Sequence, residues 1–167
     1  MHSINELPKN EFISCFGNVF ESSTWIAEQV FKKKPFKNFT DLAQKMLEIF
    51  ENSTVDQQIE VLLNHPDLAD KAKISKISYD SQIEQKSSKL DECTEKEFEE
   101  FHSLNHKYKE KFGFPFIIAV SGINKNEILN RFKNRILSEK KIEFKEAKNQ
   151  VKKIASIRLN EIKKDLL

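Results

Sequence analysis

The sequence predicts an all-α fold, a single-domain bundle of about eight helices over residues 1–167, with a buried irregular segment near 114–120. The chain contains only 3 Gly and 4 Pro, too few for the tight turns that many short strands require. Apolar residues recur at intervals of three and four, which is the helical period. No repeat, linker or low-complexity tract divides the chain, and 167 residues suit one hydrophobic core.

Four helices are expected in the first part of the chain. Gly17 predicts the end of the first, which begins near residue 10, and the second should run from about Ser23 towards Pro35. Residues 40–52 place their apolar side chains on one face. Ser53 with Asp56 resembles a helix-start box that opens the fourth helix.

The clearest helix lies in the second half. Thr94 and Glu97 have the spacing of a capping box, and Gly113 supplies a stop. Two more helices are expected over about 124–139 and 143–164.

The segment after Gly113 differs from the helices around it. Pro115 blocks helix propagation, and a continuous apolar run follows it: Phe116, Ile117, Ile118, Ala119 and Val120. Such a run is compatible with a buried strand, an extended segment or a helix start. We interpret it as buried and irregular.

Charge and composition argue against several classes of partner. Lys and Arg number 28 against 26 Asp and Glu, and the two signs are interleaved, which disfavours nucleic-acid and membrane partners. No apolar run approaches the roughly 20 residues that span a bilayer, and the polar start lacks a signal-peptide core. Cys15 and Cys93 have no partner at metal-ligand or redox spacing. A soluble cytoplasmic protein is expected.

Arg158 is the sharpest anomaly in the sequence. It interrupts the apolar stripe of the last helix, formed by Phe144, Ala147, Val151, Ile154 and Ile162. An arginine there could snorkel to solvent or pair with a structural carboxylate. Alternatively, its guanidinium could hold a substrate carboxylate or a developing oxyanion. A buried arginine needs a partner under either interpretation.

Two further polar features are weaker by themselves. Ser81, Glu84 and Gln85 would share one face of a helix, yet such triplets are usually exposed. His65 precedes Pro66 at a predicted helix end, where histidine is more often a cap or a surface residue. Its titration near neutrality would also suit proton transfer.

Metal and nucleotide chemistry have little support. His102 and His106 are four residues apart on one helix, but no third ligand is placed to complete a metal site with them. The chain lacks a Gly-rich phosphate loop, and no Ser or Cys sits in a recognisable nucleophile setting. An enzyme built on this chain would work by acid, base and hydrogen bonding.

The polar features occur in a specific order with other short motifs. The sequence reads His65-Pro66-Asp67-Leu68, Ser81-Gln82-Ile83-Glu84-Gln85, Phe112-Gly113-Phe114-Pro115-Phe116 and Ile154-Ala155-Ser156-Ile157-Arg158-Leu159. This order resembles the 2-oxo-4-hydroxy-4-carboxy-5-ureidoimidazoline (OHCU) decarboxylase family of urate degradation. Phe16-Gly17 and Glu21-Ser22-Ser23-Thr24-Trp25 are similar to the family's opening segment, so the resemblance spans nearly the whole chain.

The resemblance implies an all-helical, commonly homodimeric carboxy-lyase that converts OHCU to (S)-allantoin and carbon dioxide with no metal or organic cofactor. It implies that His65 is catalytic and that Arg158 completes the pocket, and our mechanistic hypothesis gives catalytic roles to Glu84 and Arg158 as well. The implied substrate contacts are Pro66, Ser81, Gln82, Ile83, Gln85, Phe116, Ile117, Ile118, Ala119 and Val120. The alternative is a non-catalytic helical module that binds a ureide or another protein on the same scaffold.

The chain departs from the family pattern at two places. The family often has Gly where this chain has Asp70. It often has an Ala-Gly-Leu-like stretch where this chain has Lys86-Ser87-Ser88-Lys89-Leu90. These departures bear on local helix packing and the pocket rim, and they remove none of the proposed catalytic groups.

Overall fold

A computed structural model of the chain describes residues 4–69 and 79–166. These residues form eight α-helices and no strand, and the all-α prediction is therefore confirmed. The chain divides into two units, residues 1–64 with 151–167 and residues 65–150. The organisation of 1–167 as a single domain stays a prediction.

The first unit contains four helices and the later part of the last helix: α1 (Lys9–Phe16), α2 (Trp25–Phe31), α3 (Phe39–Glu51), α4 (Val55–Leu63) and α8 (Lys140–Leu166). The helices form because their apolar residues share one face. On α3, for example, Leu42, Met46 and Phe50 are all fully buried. α1 ends before Gly17, as predicted, and a Cβ at Gly17 would lie only 2.5 Å from the Ile13 carbonyl oxygen, so this position requires glycine.

The start of α4 differs from the sequence prediction by one residue. Thr54, and not Ser53, is the N-cap, and its side chain accepts a hydrogen bond from the Gln57 N–H in a reciprocal capping box. Ser53 instead donates its hydroxyl to the Phe50 carbonyl at the end of α3, at 2.7 Å. The pairing of Ser53 with Asp56 was therefore wrong, because the preceding helix already uses the Ser53 hydroxyl.

The second unit contains α5 (Tyr79–Ser87), a 3₁₀ turn (Leu90–Glu92), α6 (Glu95–Phe112), α7 (Lys125–Arg135) and the beginning of α8. The capping box of Thr94 and Glu97 is present as predicted. Gly113 ends α6 with φ +84°, a left-handed conformation that glycine adopts without a Cβ clash.

The segment 114–120 has no regular secondary structure, and each of its residues is buried, as predicted. The Phe116 ring stacks on Phe132 of α7 with their centroids 3.8 Å apart. Tyr108 of α6 meets both rings edge-on. An aromatic cluster therefore anchors the irregular segment against two helices.

Candidate active site

His65 lies just beyond the end of α4, where Pro66 prevents the helix from continuing. Its side chain is buried, with 8% of its surface exposed. The sequence placed this histidine at a helix end, and the structure confirms that position. Burial argues against the simpler interpretation of a surface residue.

The residues after His65 form a short connection, which we call the His65 loop (residues 65–69). Gln85 holds this loop with both ends of its amide. Its Oε1 accepts from the Ala69 N–H at 3.0 Å, and its Nε2 donates to the Asp67 carbonyl at 3.3 Å. From α6, Asn105 Nδ2 donates to the Leu68 carbonyl at 3.0 Å, and Lys109 pairs with Asp67 at 2.6 Å.

The predicted polar triplet lies on α5. Ser81 and Gln85, four residues apart, are buried on the same side of the helix, and Glu84 is half-buried. Gln82 is also half-buried, whereas Ile83 exposes 49% of its surface. The helix and its shared polar face are therefore confirmed, and Ile83 lies on the more exposed side.

Three side chains hold the backbone of the segment 116–120. Arg135 Nη1 donates to the Ile117 carbonyl at 2.7 Å, and Gln150 Oε1 accepts from the Ala119 N–H at 2.9 Å. Ser88 donates its hydroxyl to the Val120 carbonyl at 2.8 Å. Ser88 belongs to a stretch that departs from the family pattern, so the departure supplies a backbone contact of its own. Asp70, the other departure, lies outside the described residues.

Arg158 is buried in the first unit and has a buried carboxylate partner. Its Nη1 lies 2.9 Å from Glu21 Oε2 and 2.9 Å from the Asn18 carbonyl oxygen. Of the interpretations left open by the sequence, solvent snorkelling is excluded by burial, and pairing with a structural carboxylate is present. A guanidinium has five N–H donors, so this pairing is compatible with a functional role as well.

The sequence did not single out a polar cluster beside the segment 116–120, which consists of buried Glu143 and Tyr108 and part-buried Arg135. Glu143, at the start of the last predicted helix, exposes only 1% of its surface. The sequence contains a pattern that predicts the burial of Glu143. Glu143 lies four residues before Ala147 and so extends the buried stripe by one helical turn.

In the part of the chain that the structure describes, no group of three or more His, Cys, Asp or Glu could hold a metal ion. His102 and His106 both lie on the exposed side of α6. None of the helices, over the described residues, is both long and apolar enough to cross a membrane.

Sequence comparisons agree with the motif order. The family model of the OHCU decarboxylases matches residues 5–160. A 2-oxo-4-hydroxy-4-carboxy-5-ureidoimidazoline decarboxylase of Halalkalicoccus jeotgali is 34% identical, over 97% of this chain and 90% of that protein. A uric acid degradation bifunctional protein of Bacillus sp. (strain TB-90) is 41% identical over 97% of this chain. The chain spans only about a third (32%) of that bifunctional protein.

Solved structures show the same fold. The crystal structure of an (S)-allantoin synthase matches 95% of this chain and 52% of its own, with a TM-score of 0.75 and 31% identity. The crystal structure of an OHCU decarboxylase in the presence of (S)-allantoin matches 91% of this chain and 96% of its own, with a TM-score of 0.70 and 24% identity. The second likeness concerns the fold alone.

The fold and these matches define the class of protein as an all-helical decarboxylase. Within that class, the chain belongs to the OHCU decarboxylase family, as the order of its motifs predicted.

Proposed function

We propose that this chain catalyses the cofactor-independent decarboxylation of OHCU to (S)-allantoin and carbon dioxide in urate degradation. The observation that carries the proposal is the family match over residues 5–160, which includes every proposed catalytic position. In this reaction the bond between the ring carbon and the carboxylate breaks, and carbon dioxide leaves. The electron pair moves into the ring, and one proton is then delivered to one face.

His65 is proposed to transfer the proton that the reaction delivers to one face of the ring. An imidazole can both accept and donate a proton, which this step requires. It is buried at the end of α4, and α5 and α6 hold the loop that follows it through Gln85, Asn105 and Lys109. A fixed imidazole can deliver a proton to one face, which a stereospecific product requires.

Arg158 is proposed to stabilise the negative charge that develops in the ring. Electrostatic stabilisation of this kind is often the largest single contribution to catalysis. The Glu21 carboxylate and the Asn18 carbonyl hold one end of the guanidinium, at 2.9 Å in each case. This anchoring would orient the rest of the fork before substrate arrives.

The remaining proposed contacts lie in the second unit. Glu84 would orient His65 or the ureido arm, and by its charge would favour loss of the substrate carboxylate as neutral carbon dioxide. Ser81 would hydrogen-bond the ring. Gln85 was also proposed to fix the ring, and its two bonds to the His65 loop support a second task, holding that loop in place. Pro66, Gln82, Ile83 and the segment 116–120 would complete the binding surface.

The test is the formation of (S)-allantoin from freshly generated substrate, followed by circular dichroism. We expect the wild type to exceed the spontaneous rate and His65→Ala to lose about 10²-fold to 10⁴-fold in kcat. Glu84→Ala should also lose activity. His106→Ala is the matched control, because it removes an exposed imidazole from α6.

Two results would count against this proposal. A wild type no faster than the spontaneous reaction would leave the non-catalytic binding module as the better description. A folded His65→Ala variant with full activity would remove the histidine from the mechanism and leave the family membership unchanged.

The resemblance also leads us to propose a cytoplasmic homodimer with OHCU as its small-molecule partner. Light scattering during size-exclusion chromatography measures the assembly directly. A mass of about 39 kDa, twice the 19.6 kDa of one chain, would agree with a dimer. A mass of one chain at micromolar concentration would contradict it.

A further inference from the structure

Arg135 connects the segment 116–120 to α8. Its Nη1 donates to the Ile117 carbonyl at 2.7 Å, and its Nε donates to Glu143 Oε1 at 2.8 Å. Its Nη2 also donates to Glu143, at 2.5 Å. The guanidinium carbon lies 4.4 Å from the centroid of the Phe116 ring, over its face. One planar group therefore holds both a carbonyl and a side chain of the segment.

Glu143 and Tyr108 fix the orientation of that guanidinium. The Tyr108 hydroxyl donates to the same Glu143 oxygen that Arg135 binds. Burial, reinforced by the hydrogen bond to Glu143, raises the pKa of Tyr108 above its ordinary value. The hydroxyl therefore remains a donor over the whole physiological pH range. Charged and neutral donors together satisfy a carboxylate that would otherwise be costly to bury.

Among the described residues, three side chains bind backbone groups of the segment 116–120. Arg135, Gln150 and Ser88 bind the Ile117 carbonyl, the Ala119 N–H and the Val120 carbonyl. These three bonds do not use the N–H groups of Ile118 and Val120. Because successive peptide units are rigid planes, fixing the groups on either side fixes the direction of those two N–H groups.

We propose that Arg135 is a positioning residue for substrate binding, which acts with Glu143 and Tyr108 to direct the backbone of residues 116–120 at the substrate. This inference rests on the proposed function, in which that segment contacts OHCU. The cluster lies beside the segment, and its proposed role is to position the backbone rather than to contact the reacting atoms. Its effect is on the affinity for substrate, through N–H donors that must be aimed correctly before the substrate binds.

The test is Arg135→Lys, measured by the rate of (S)-allantoin formation over a range of substrate concentrations. Lysine keeps the positive charge but loses the planar fork that binds Glu143 and Ile117 together. We expect KM to rise about tenfold and kcat to change less than threefold, since uniform binding is lost. Arg131→Lys is the matched control, because Arg131 lies one turn earlier on α7 in an exposed pair with Glu127. Its KM should stay within twofold of the wild type.

A second pair of variants tests the same idea at another anchor. Gln150→Met removes the acceptor for the Ala119 N–H, whereas Glu146→Gln changes the other partner of the Gln150 amide and leaves that acceptor in place. We expect Gln150→Met to raise KM severalfold and Glu146→Gln to leave KM within twofold of the wild type. If Arg135→Lys does not fold, this pair of variants still tests whether anchoring the backbone of the segment 116–120 sets the affinity for substrate.

The outcomes separate this inference from the proposed function. A wild type without activity contradicts the proposed function itself. An active wild type whose Arg135→Lys variant has an unchanged KM contradicts the positioning role, even if kcat falls, because a merely structural residue lowers the amount of active enzyme. An unchanged KM in Gln150→Met would overturn the proposal in the same way.

Discussion

Replacing Glu21 by glutamine tests the buried ion pair of the first unit. The substitution conserves shape and removes one charge, which leaves the Arg158 cation buried without its carboxylate. Glu21 is 3% exposed and Arg158 6% exposed, so water screens neither group well. We therefore expect a large loss of stability from one change of charge.

The magnitude follows from the geometry. Unit charges 2.9 Å apart attract by about 6 kcal/mol at an effective dielectric constant of about 20. Part of this is offset in Glu21→Gln, because the amide oxygen still accepts a hydrogen bond and the Asn18 carbonyl still binds the guanidinium. Breaking a buried pair by removing one partner costs about 3–5 kcal/mol. We expect a loss near the lower limit, about 3 kcal/mol.

The assay is urea unfolding followed by far-ultraviolet circular dichroism. The control is Glu51→Gln, which breaks a pair between α3 and α8 in the same unit, with Lys152 and Glu51 side chains 31% and 46% exposed. That pair should contribute less than about 1 kcal/mol. If Glu21→Gln loses no more stability than Glu51→Gln, the reasoning from burial is refuted.

Four other predictions concern single side chains. Lys89→Gly should raise the free energy of unfolding by about 1 kcal/mol in urea titrations, because residue 89 has φ +57°, which glycine adopts without strain. Lys107→Gly, in the exposed middle of α6, should lower the free energy of unfolding by a similar amount, and a change in the same direction for both variants would contradict the argument. Thr94→Ala should lower the free energy of unfolding by about 1 kcal/mol in the same assay, because it removes the N-cap of α6. An unchanged free energy of unfolding would contradict this role of the cap. Because the pKa of Tyr108 is raised, the stability that depends on its neutral hydroxyl is complete below pH 10 and is lost at higher pH. The stability difference between wild type and Tyr108→Phe should therefore shrink above about pH 10, and a difference that grows there would have the wrong sign. Burial and the Asp165 charge raise the pKa of the Cys15 thiol, so iodoacetamide should modify it more slowly than free cysteine at pH 8 by mass spectrometry, and an equal rate would count against that environment.

Local chemistry determined most of the helices. The capping box at Thr94, the left-handed Gly113 and the apolar faces are encoded within a few residues, so the sequence alone predicts them. The one-residue error at Ser53 also has a local cause, within a few residues of the chain. Its hydroxyl lies between two helices, and it donates to the Phe50 carbonyl at the end of α3.

The family and its catalytic candidates also followed from the sequence, through the order and spacing of short motifs. Single motifs did not suffice, because a lone histidine or a polar triplet on a helix is usually structural. The match over residues 5–160 confirms the family that this order indicated.

Only the tertiary structure decided which polar groups are paired. Arg158 needed a partner on any interpretation, but Glu21 lies 137 positions away in the chain, and no helical period links the two. Likewise, the hydrogen bonds that join Arg135, Glu143 and Tyr108 form only when three helices pack around the segment 116–120. The sequence by itself therefore determined the helices and the family. The burial of charged groups such as Glu143, and their long-range pairing, depend on how the elements pack, so they emerged only in three dimensions.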